Sequence, residues 1–272
     1  MLRFQPAPLT ASELTTLSNL TQAAIVGRYA DQVERVNTAG FWSAPKLGTA
    51  RAKIEAARPR QDRCVYCEDS VGSEIDHLQP KTLHPWLTFC WENLIPACSV
   101  CGNASHKGAK DAICDPAHPG QWVEISRTRR ERSDRSPTSQ PRDGRTAWLN
   151  PRLCDPLSLL RLDIRDGTFR FDIIASAGTE AYARARWTVD TLKLNTRANL
   201  VSQRRVAYDD HLRWLGDVVA AHTSGDHATV TRLKAGLTDR NHPTVWAEMK
   251  RQRQDLPEVR KLIAAAPEVL SW

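Results

Sequence analysis

The stretch RCVYCEDSVGSEIDHLQPKTLHPWLTFCWENLIPACSVC, residues 63–101, decides how this chain folds. It carries two Cys-x-x-Cys pairs, Cys64 with Cys67 and Cys98 with Cys101, and 30 residues lie between the pairs. Each pair can turn two thiolates towards one ion, and four thiolates in a tetrahedron suit Zn²⁺. Because the protein would fill all four coordination positions, we expect this zinc to be structural.

The composition is that of an ordinary globular protein. The chain has 272 residues, of which 41% are hydrophobic and 25% are charged, and these fractions exclude collagen-like and wholly disordered classes. No apolar run approaches the roughly 18 residues that a membrane span needs. The first residues, MLRFQPAPLTASEL, lack the apolar stretch and cleavage site of a secretory signal. We therefore expect a cytoplasmic protein with reduced thiols and no membrane partner.

The charge is distributed unevenly along the chain. The net charge is +7, but residues 61–118 carry −4 and the remainder carries +11. Residues 126–145 hold seven arginines and no large apolar side chain, which is typical of a mobile or partner-ordered loop. This loop can bind phosphates or can simply be solvated, and the sequence leaves both readings open. Any attraction to nucleic acid is expected to come from the flanks of the cysteine-bearing segment.

Residues 1–60 have the pattern of an N-terminal helical segment. Thr10 and Glu13 have the spacing of a capping box, which marks the start of a helix. Apolar residues then recur at helical spacing and predict one long helix that continues to about Val36. A shorter helix is predicted around Ala50 and Ile54.

The second half of the chain divides into an Arg-rich linker or loop, 119–147, and a C-terminal β-hairpin and helical region, 148–272. Two alternating apolar runs flank Asp166-Gly167 and predict the hairpin. Because Asp-Gly tolerates positive φ angles, we expect a tight two-residue turn there. Helical spacing follows from Val189 to the end, and Pro257 stands where the first turn of a helix tolerates proline.

The segment 61–118 also carries groups suited to hydrolysis. Asp76 and His77 are neighbours between the two cysteine pairs. A carboxylate can hold a hard cation such as Mg²⁺, and an imidazole with a reference pKa near 6.5 can take a proton from water. An Asp-His dipeptide alone carries no information, so this interpretation depends on the surrounding cysteine frame.

The order of these motifs resembles the HNH endonucleases of the ββα-metal fold. That order is Cys-x-x-Cys, Asp-His followed by Pro-Lys, Asn-Leu, Cys-x-x-Cys, and then Asn and Lys. More narrowly, RCVYCED, EIDHLQPK, FCWENLIPACSVC, LNPRLCDP and TLKLN resemble the HNH nuclease subunit of Septu-type anti-phage defence systems. The resemblance implies an α+β, mainly helical fold, with a small zinc-clasped ββα-metal nuclease core at 61–118. The N-terminal helices and the C-terminal hairpin and helical region would surround that core.

The resemblance also implies roles for individual residues. His77 matches the general base, Asp76 a ligand of a catalytic Mg²⁺ or Mn²⁺, and Asn93 the residue that braces the loop and orients the histidine. Relatives usually place Asn directly after the last cysteine, where this chain has glycine. Asn103 is therefore the preferred last ligand of the catalytic metal, and His106 is the alternative.

The function implied by the resemblance is hydrolysis of phosphodiester bonds in DNA, by the nuclease effector of a defence complex with an ATPase partner. Two other readings stay open at the level of sequence. One is a non-catalytic, zinc-stabilised module that binds nucleic acid or protein. The other is an HNH nuclease that cleaves RNA, because this chemistry does not by itself select the sugar.

Overall fold

A computed structural model describes Met1 and residues 3–58, 62–102, 106–126 and 145–272. The fold is α+β and mainly helical, as predicted, and its strands pair into small antiparallel hairpins. The helices are α1 Ala11–Ala24, α2 Tyr29–Asn37, α3 Thr49–Ala56, α4 Ser99–Gly102, α5 Glu180–Thr191, α6 Ala198–Thr223, α7 His227–Ala235, α8 Pro243–Arg251 and α9 Pro257–Ala265. The strands are β1 Glu74–His77, β2 Leu94–Ala97, β3 Ala112–Cys114, β4 Trp122–Glu124, β5 Leu160–Asp163 and β6 Arg170–Ile173.

The N-terminal segment folds as helices, but the prediction of one long helix to Val36 is wrong. The capping box of Thr10 and Glu13 does start α1. The chain then turns at Gly27, whose φ is +87°, before α2 begins. Glycine adopts this left-handed conformation at little cost, and it breaks the helical hydrogen-bond ladder. The side-chain amide of Gln32 stabilises the turn by donating to the carbonyl oxygens of Ile25 and Gly27, at 2.9 and 2.8 Å.

The cysteine-bearing segment is organised around the hairpin of β1 and β2. These strands pair in antiparallel register, with Glu74 opposite Ala97 and His77 opposite Leu94. A long loop, 78–93, joins them, and α4 follows β2 after a single residue. The register places Cys98 next to the Glu74 end of the hairpin, and α4 packs against β1, so that Gly102 at the end of α4 lies beside Asp76.

The C-terminal hairpin is confirmed, but its turn differs from the prediction. Leu160 pairs with Ile173 and Asp163 with Arg170, so six residues, not two, connect β5 to β6. The Asp163 carboxylate explains the wider loop, because it accepts from the backbone amide of Asp166 at 3.1 Å and from the Thr168 hydroxyl at 2.7 Å. Gly167 does have a positive φ, +69°.

One main hydrophobic core joins the cysteines to the C-terminal region. It includes Cys64, Trp148, Trp187 and Leu215, all buried. A smaller cluster under the N-terminal helices contains Leu17, Ile54, Phe89 and Leu94. Both clusters draw on residues of the segment 61–118, so that segment is packed from two sides. The hairpin of β3 and β4 spans residue 118, where the sequence divided the core from the linker.

Part of the Arg-rich stretch predicted at 126–145 lies outside the described residues, which stop at 126 and resume at 145. In the part of the chain that is described, none of the helices combines the length and the hydropathy required to traverse a lipid bilayer.

Candidate functional site

The four predicted zinc-ligating cysteines come together. The sulfur atoms of Cys64, Cys67, Cys98 and Cys101 all lie within 4.8 Å of one another, and all four residues are buried. The backbone amide of Cys101 donates to the Cys98 sulfur at 3.4 Å, the kind of contact that stabilises a thiolate. This group can hold a structural metal such as zinc. Among the described residues, no other group of three or more His, Cys or acidic side chains has this proximity.

Arg197 is a neighbour of this cluster that the sequence did not reveal. Its Nη1 donates to the Cys101 sulfur at 3.2 Å. Four thiolates around a divalent ion carry a net charge of −2, so a guanidinium beside them offsets part of that charge. Burial lowers the pKa of Arg197, but the charges of Cys101 and Cys67 outweigh it and raise the pKa overall. Because Arg197 precedes α6, this contact links the cysteine cluster to the C-terminal helices.

His77 lies at the end of β1 and is 7% exposed. Its Nε2 is 2.9 Å from the carbonyl oxygen of Thr88. A carbonyl only accepts hydrogen bonds, so Nε2 carries the proton and Nδ1 keeps its lone pair. Burial lowers the pKa of His77 to about 3, although the bond to Thr88 opposes this shift. His77 is therefore neutral at pH 7, in the form that can accept a proton.

Asp76 is held by two side chains that the sequence did not assign to it. Its Oδ2 accepts from the Tyr66 hydroxyl at 2.8 Å, and its Oδ1 accepts from the Lys107 ammonium at 3.0 Å. Lys107 also donates to the carbonyl oxygen of His77 at 2.5 Å. Burial raises the pKa of Asp76, and the charge of Lys107 and both hydrogen bonds oppose that shift. Both carboxylate oxygens therefore already have a donor.

Asn93 ties together the loop that joins the two strands. Its Oδ1 accepts from the backbone amide of Gln79 at 2.8 Å. Its Nδ2 donates to the carbonyl oxygens of Gln79 and Leu87, both at 3.0 Å. Thr88, which bonds His77, directly follows Leu87, so the Asn93 contacts fix the backbone that fixes the imidazole.

These residues border a cavity of about 540 Å³. Arg51, Lys81 and Lys107 contribute positive charge to its wall, and the edge of the Trp42 ring approaches the His77 ring with 4.3 Å between centroids. The complete lining comprises Trp42, Ala44, Arg51, Ser73, Glu74, Ile75, Asp76, His77, Pro80, Lys81, Thr82, Gly102, Lys107, Gly108 and Ala109. Two carboxylates, Asp76 and Glu74, lie in the same wall, and Lys107 is paired with Asp76, so Arg51 and Lys81 are the cations that suit an anionic substrate such as a phosphodiester.

Asp76 is the predicted ligand of a catalytic metal that borders the cavity. Asn103 lies outside the described residues, and His106 is not part of the cavity wall. Gly102 does face Asp76, since a Cβ at position 102 would lie 3.5 Å from Oδ1. A divalent ion needs several oxygen ligands, and here it would meet the Lys107 ammonium beside the carboxylate. The described residues therefore do not fit a Mg²⁺ or Mn²⁺ ion at Asp76.

The geometry explains which contacts sequence analysis missed. Tyr66 lies inside the first cysteine pair, and a residue between two ligands can equally well be a spacer. Arg197 is 96 residues from Cys101, and Lys107 is 31 residues from Asp76. Neither distance leaves a local signal in the sequence.

Comparison of the chain with models of protein families, with curated proteins and with solved structures gave no match.

Proposed function

We propose that this protein is a zinc-stabilised HNH-type endonuclease that hydrolyses phosphodiester bonds of DNA. The observation that carries the proposal is His77, a buried, neutral imidazole whose proton is held on Nε2, in the wall of a cavity that also contains Arg51 and Lys81. The order of motifs from Cys64 to Lys107 supports the same class of enzyme. The hairpin of β1 and β2, followed by α4, has the strand, strand and helix order that this class implies.

His77 would act as the general base. Nδ1 takes a proton from a water molecule, and the resulting hydroxide oxygen forms a bond to phosphorus. The bond between phosphorus and the 3′ oxygen then breaks, and its electron pair leaves with that oxygen, which takes up a proton. The products are a 5′ phosphate and a 3′ hydroxyl. Asn93 acts indirectly, because it holds the loop whose Thr88 carbonyl fixes the tautomer of His77.

Positive charge is needed where the phosphate would bind. Arg51 and Lys81 reach the cavity from α3 and from the loop after β1, respectively. Each is already oriented, Arg51 by Glu55 at 2.9 Å and Lys81 by the carbonyl oxygen of Val36 at 2.6 Å. Cations fixed in this way can attract a phosphodiester without a large loss of side-chain freedom. The Mg²⁺ or Mn²⁺ implied by the resemblance enters no step here, because the described residues do not fit it.

The zinc would act on folding and not on the reaction. A hairpin and a four-residue helix bury too little surface to be stable alone. A metal bound by both cysteine pairs would hold the two ends of the motif together. Loss of the metal should therefore abolish activity by loosening the site.

Cleavage of labelled DNA tests the proposal. Zinc-loaded wild-type protein should cut it, His77→Ala should reduce the rate by at least a hundredfold, and His118→Ala should not change it. His118 is a matched control because it is exposed and its Nδ1 bonds the Asp115 carboxylate, which lies outside the cavity. Undiminished cleavage by His77→Ala would refute the role of His77, and an RNA substrate in the same assay distinguishes the two nucleases.

A non-catalytic zinc-stabilised binding module is the second candidate. The observation that favours it is the ion pair of Asp76 with Lys107, which leaves no open metal site at the carboxylate among the described residues. In that case His77→Ala would bind DNA or protein as the wild type does, and neither the variant nor the wild type would cleave DNA.

The proposed partner is an ATPase subunit of an anti-phage defence complex, and this rests on the resemblance alone. Co-purification with the product of a neighbouring reading frame tests it. Absence of such a complex would remove the defence assignment and leave the nuclease proposal standing.

A further inference from the structure

Lys107 is the most deeply buried cation near the cavity. Its side chain is 1% exposed, and lysine is rarely buried to this extent without a partner. Two of its three donor positions are directed at oxygen atoms, Asp76 Oδ1 at 3.0 Å and the His77 carbonyl at 2.5 Å. The ring of Trp148 lies 5.6 Å from the ammonium, at a distance typical of a cation–π contact. The charge is thus fixed at the end of β1, beside the residue proposed as the base.

The ammonium stands next to the one carboxylate that the sequence assigned to a catalytic metal. We propose that Lys107 takes the place of a divalent cation at Asp76, so that this carboxylate binds no Mg²⁺ or Mn²⁺ in the native protein. The ammonium already neutralises Asp76, and the Tyr66 hydroxyl satisfies its second oxygen at 2.8 Å. A divalent ion would therefore gain little from Asp76 and would be repelled by Lys107 at close range.

The remaining cavity wall offers little to compensate. Glu74 is the other described carboxylate there, and among the described residues no three His, Cys or acidic side chains of this wall lie close enough together to share an ion. Mg²⁺ and Mn²⁺ prefer several oxygen ligands and keep the rest of their shell as water. While Lys107 neutralises Asp76, the described part of the wall has only the Glu74 carboxylate left to attract such an ion.

Lys107 would also replace the metal in function, and this part rests on the proposed nuclease activity. The Lys107 side chain transfers no group, so it contributes only positive charge and the orientation of Asp76 and of the His77 backbone. Lys107 is thus a positioning residue that acts through its two neighbours. DNA cleavage by the zinc-loaded protein should then not require an added divalent ion.

Titration with Mn²⁺, followed by loss of the electron paramagnetic resonance signal of the free ion, tests the inference without any need for activity. Four zinc-loaded, full-length proteins are compared: wild type, Asp76→Asn, Lys107→Met and the double variant. Methionine keeps the length of the apolar stem and removes the charge. The wild type and Asp76→Asn should take up the same amount of Mn²⁺. Lys107→Met should bind one Mn²⁺ ion more than the wild type, with a dissociation constant at least tenfold lower than any for the wild type at this position. The double variant should not bind that ion.

Two results would overturn the inference. One is a Mn²⁺ site in the wild type that Asp76→Asn removes, and this comparison stands even if Lys107→Met does not fold. The other is a folded Lys107→Met protein, with its zinc retained, that gains no site. Failure of the nuclease proposal has a different signature, because cleavage would then be absent with and without divalent ions while the Mn²⁺ titration still gives its answer.

Discussion

Replacing Asn93 by alanine should weaken the fold and the site together. The change removes three hydrogen bonds. The amide of Gln79 donates one to Oδ1, and Nδ2 donates the other two to the carbonyl oxygens of Gln79 and Leu87. Asn93 and Gln79 are both buried, so the backbone groups lose partners that water replaces poorly. Each buried group left without a partner costs about 1–3 kcal/mol, and partial entry of water reduces the total to ~3 kcal/mol.

Urea unfolding of zinc-loaded protein measures this loss. Asn199→Ala is the matched control, because the side chain of Asn199 is exposed on α6 and the chemical change is the same. We expect the control to lie within about 0.5 kcal/mol of the wild type. A cost of less than about 1 kcal/mol for Asn93→Ala would refute the bracing role. DNA cleavage should fall in the same variant, because the loop no longer fixes Thr88 against His77.

Three further predictions concern the metal, the pH dependence and the flanks. Cys98→Ser should reduce bound zinc from about one ion per chain to none and lower the urea midpoint of unfolding, whereas Cys154→Ser should keep the ion. Elemental analysis measures the bound zinc, and circular dichroism follows the unfolding. Burial lowers the pKa of His211 from 6.5 to about 4, so between these values the unfolded chain binds a proton that the folded chain does not. The free energy of unfolding should therefore fall as the pH drops below 6.5. His211→Gln should reduce the slope of that free energy against pH by up to about 1.4 kcal/mol per pH unit, which urea titrations at several pH values measure. Reversing Arg129 and Arg130 to Glu should weaken DNA binding and flatten its salt dependence by about one unit of slope per lost phosphate contact. Fluorescence anisotropy at several salt concentrations measures that slope, Arg232→Glu on α7 serves as the control, and an unchanged slope would contradict a role for the Arg-rich stretch in binding phosphates.

Sequence reasoning succeeded where the signal is local. Two cysteines at Cys-x-x-Cys spacing must turn towards one point, and a second pair of this kind predicts a shared ion, so the cluster of four sulfur atoms was predictable. Alternating apolar residues fixed the faces of β5 and β6, and Thr10 with Glu13 fixed the start of α1. Each cysteine pair, strand pattern and capping box is a short local signal, and the shared ion links the two cysteine pairs across the 30 residues between them.

In both errors of the fold prediction, local backbone and side-chain interactions prevail over the pattern of apolar and turn residues. The apolar spacing continues through Gly27, so periodicity alone extends α1 into α2 and misses the turn. In the C-terminal hairpin, Asp166-Gly167 suits a two-residue turn, but the Asp163 carboxylate binds groups further along and stabilises a six-residue loop. Both outcomes depend on side-chain hydrogen bonds that hydrophobic patterns do not encode.

Asp76 and His77 were singled out from the sequence, whereas the contacts that they make with other side chains were not predicted. Asp76 and His77 stand together in the sequence, and both border the same cavity. The contacts of Asp76 with Tyr66 and Lys107 arise only when β1 packs against the first cysteine pair and the turn after α4. Those contacts make Asp76 one half of a buried ion pair with Lys107.

The origin of the oxygen in the cut ends tests the central proposal most directly. Zinc-loaded wild-type protein is incubated with DNA in isotopically labelled water, and the new ends are analysed by mass spectrometry. We expect one labelled oxygen on each new 5′ phosphate, none on the 3′ hydroxyl, and no new ends with His77→Ala. New ends without the label, or equal cleavage by His77→Ala, would contradict hydrolysis by water that His77 activates.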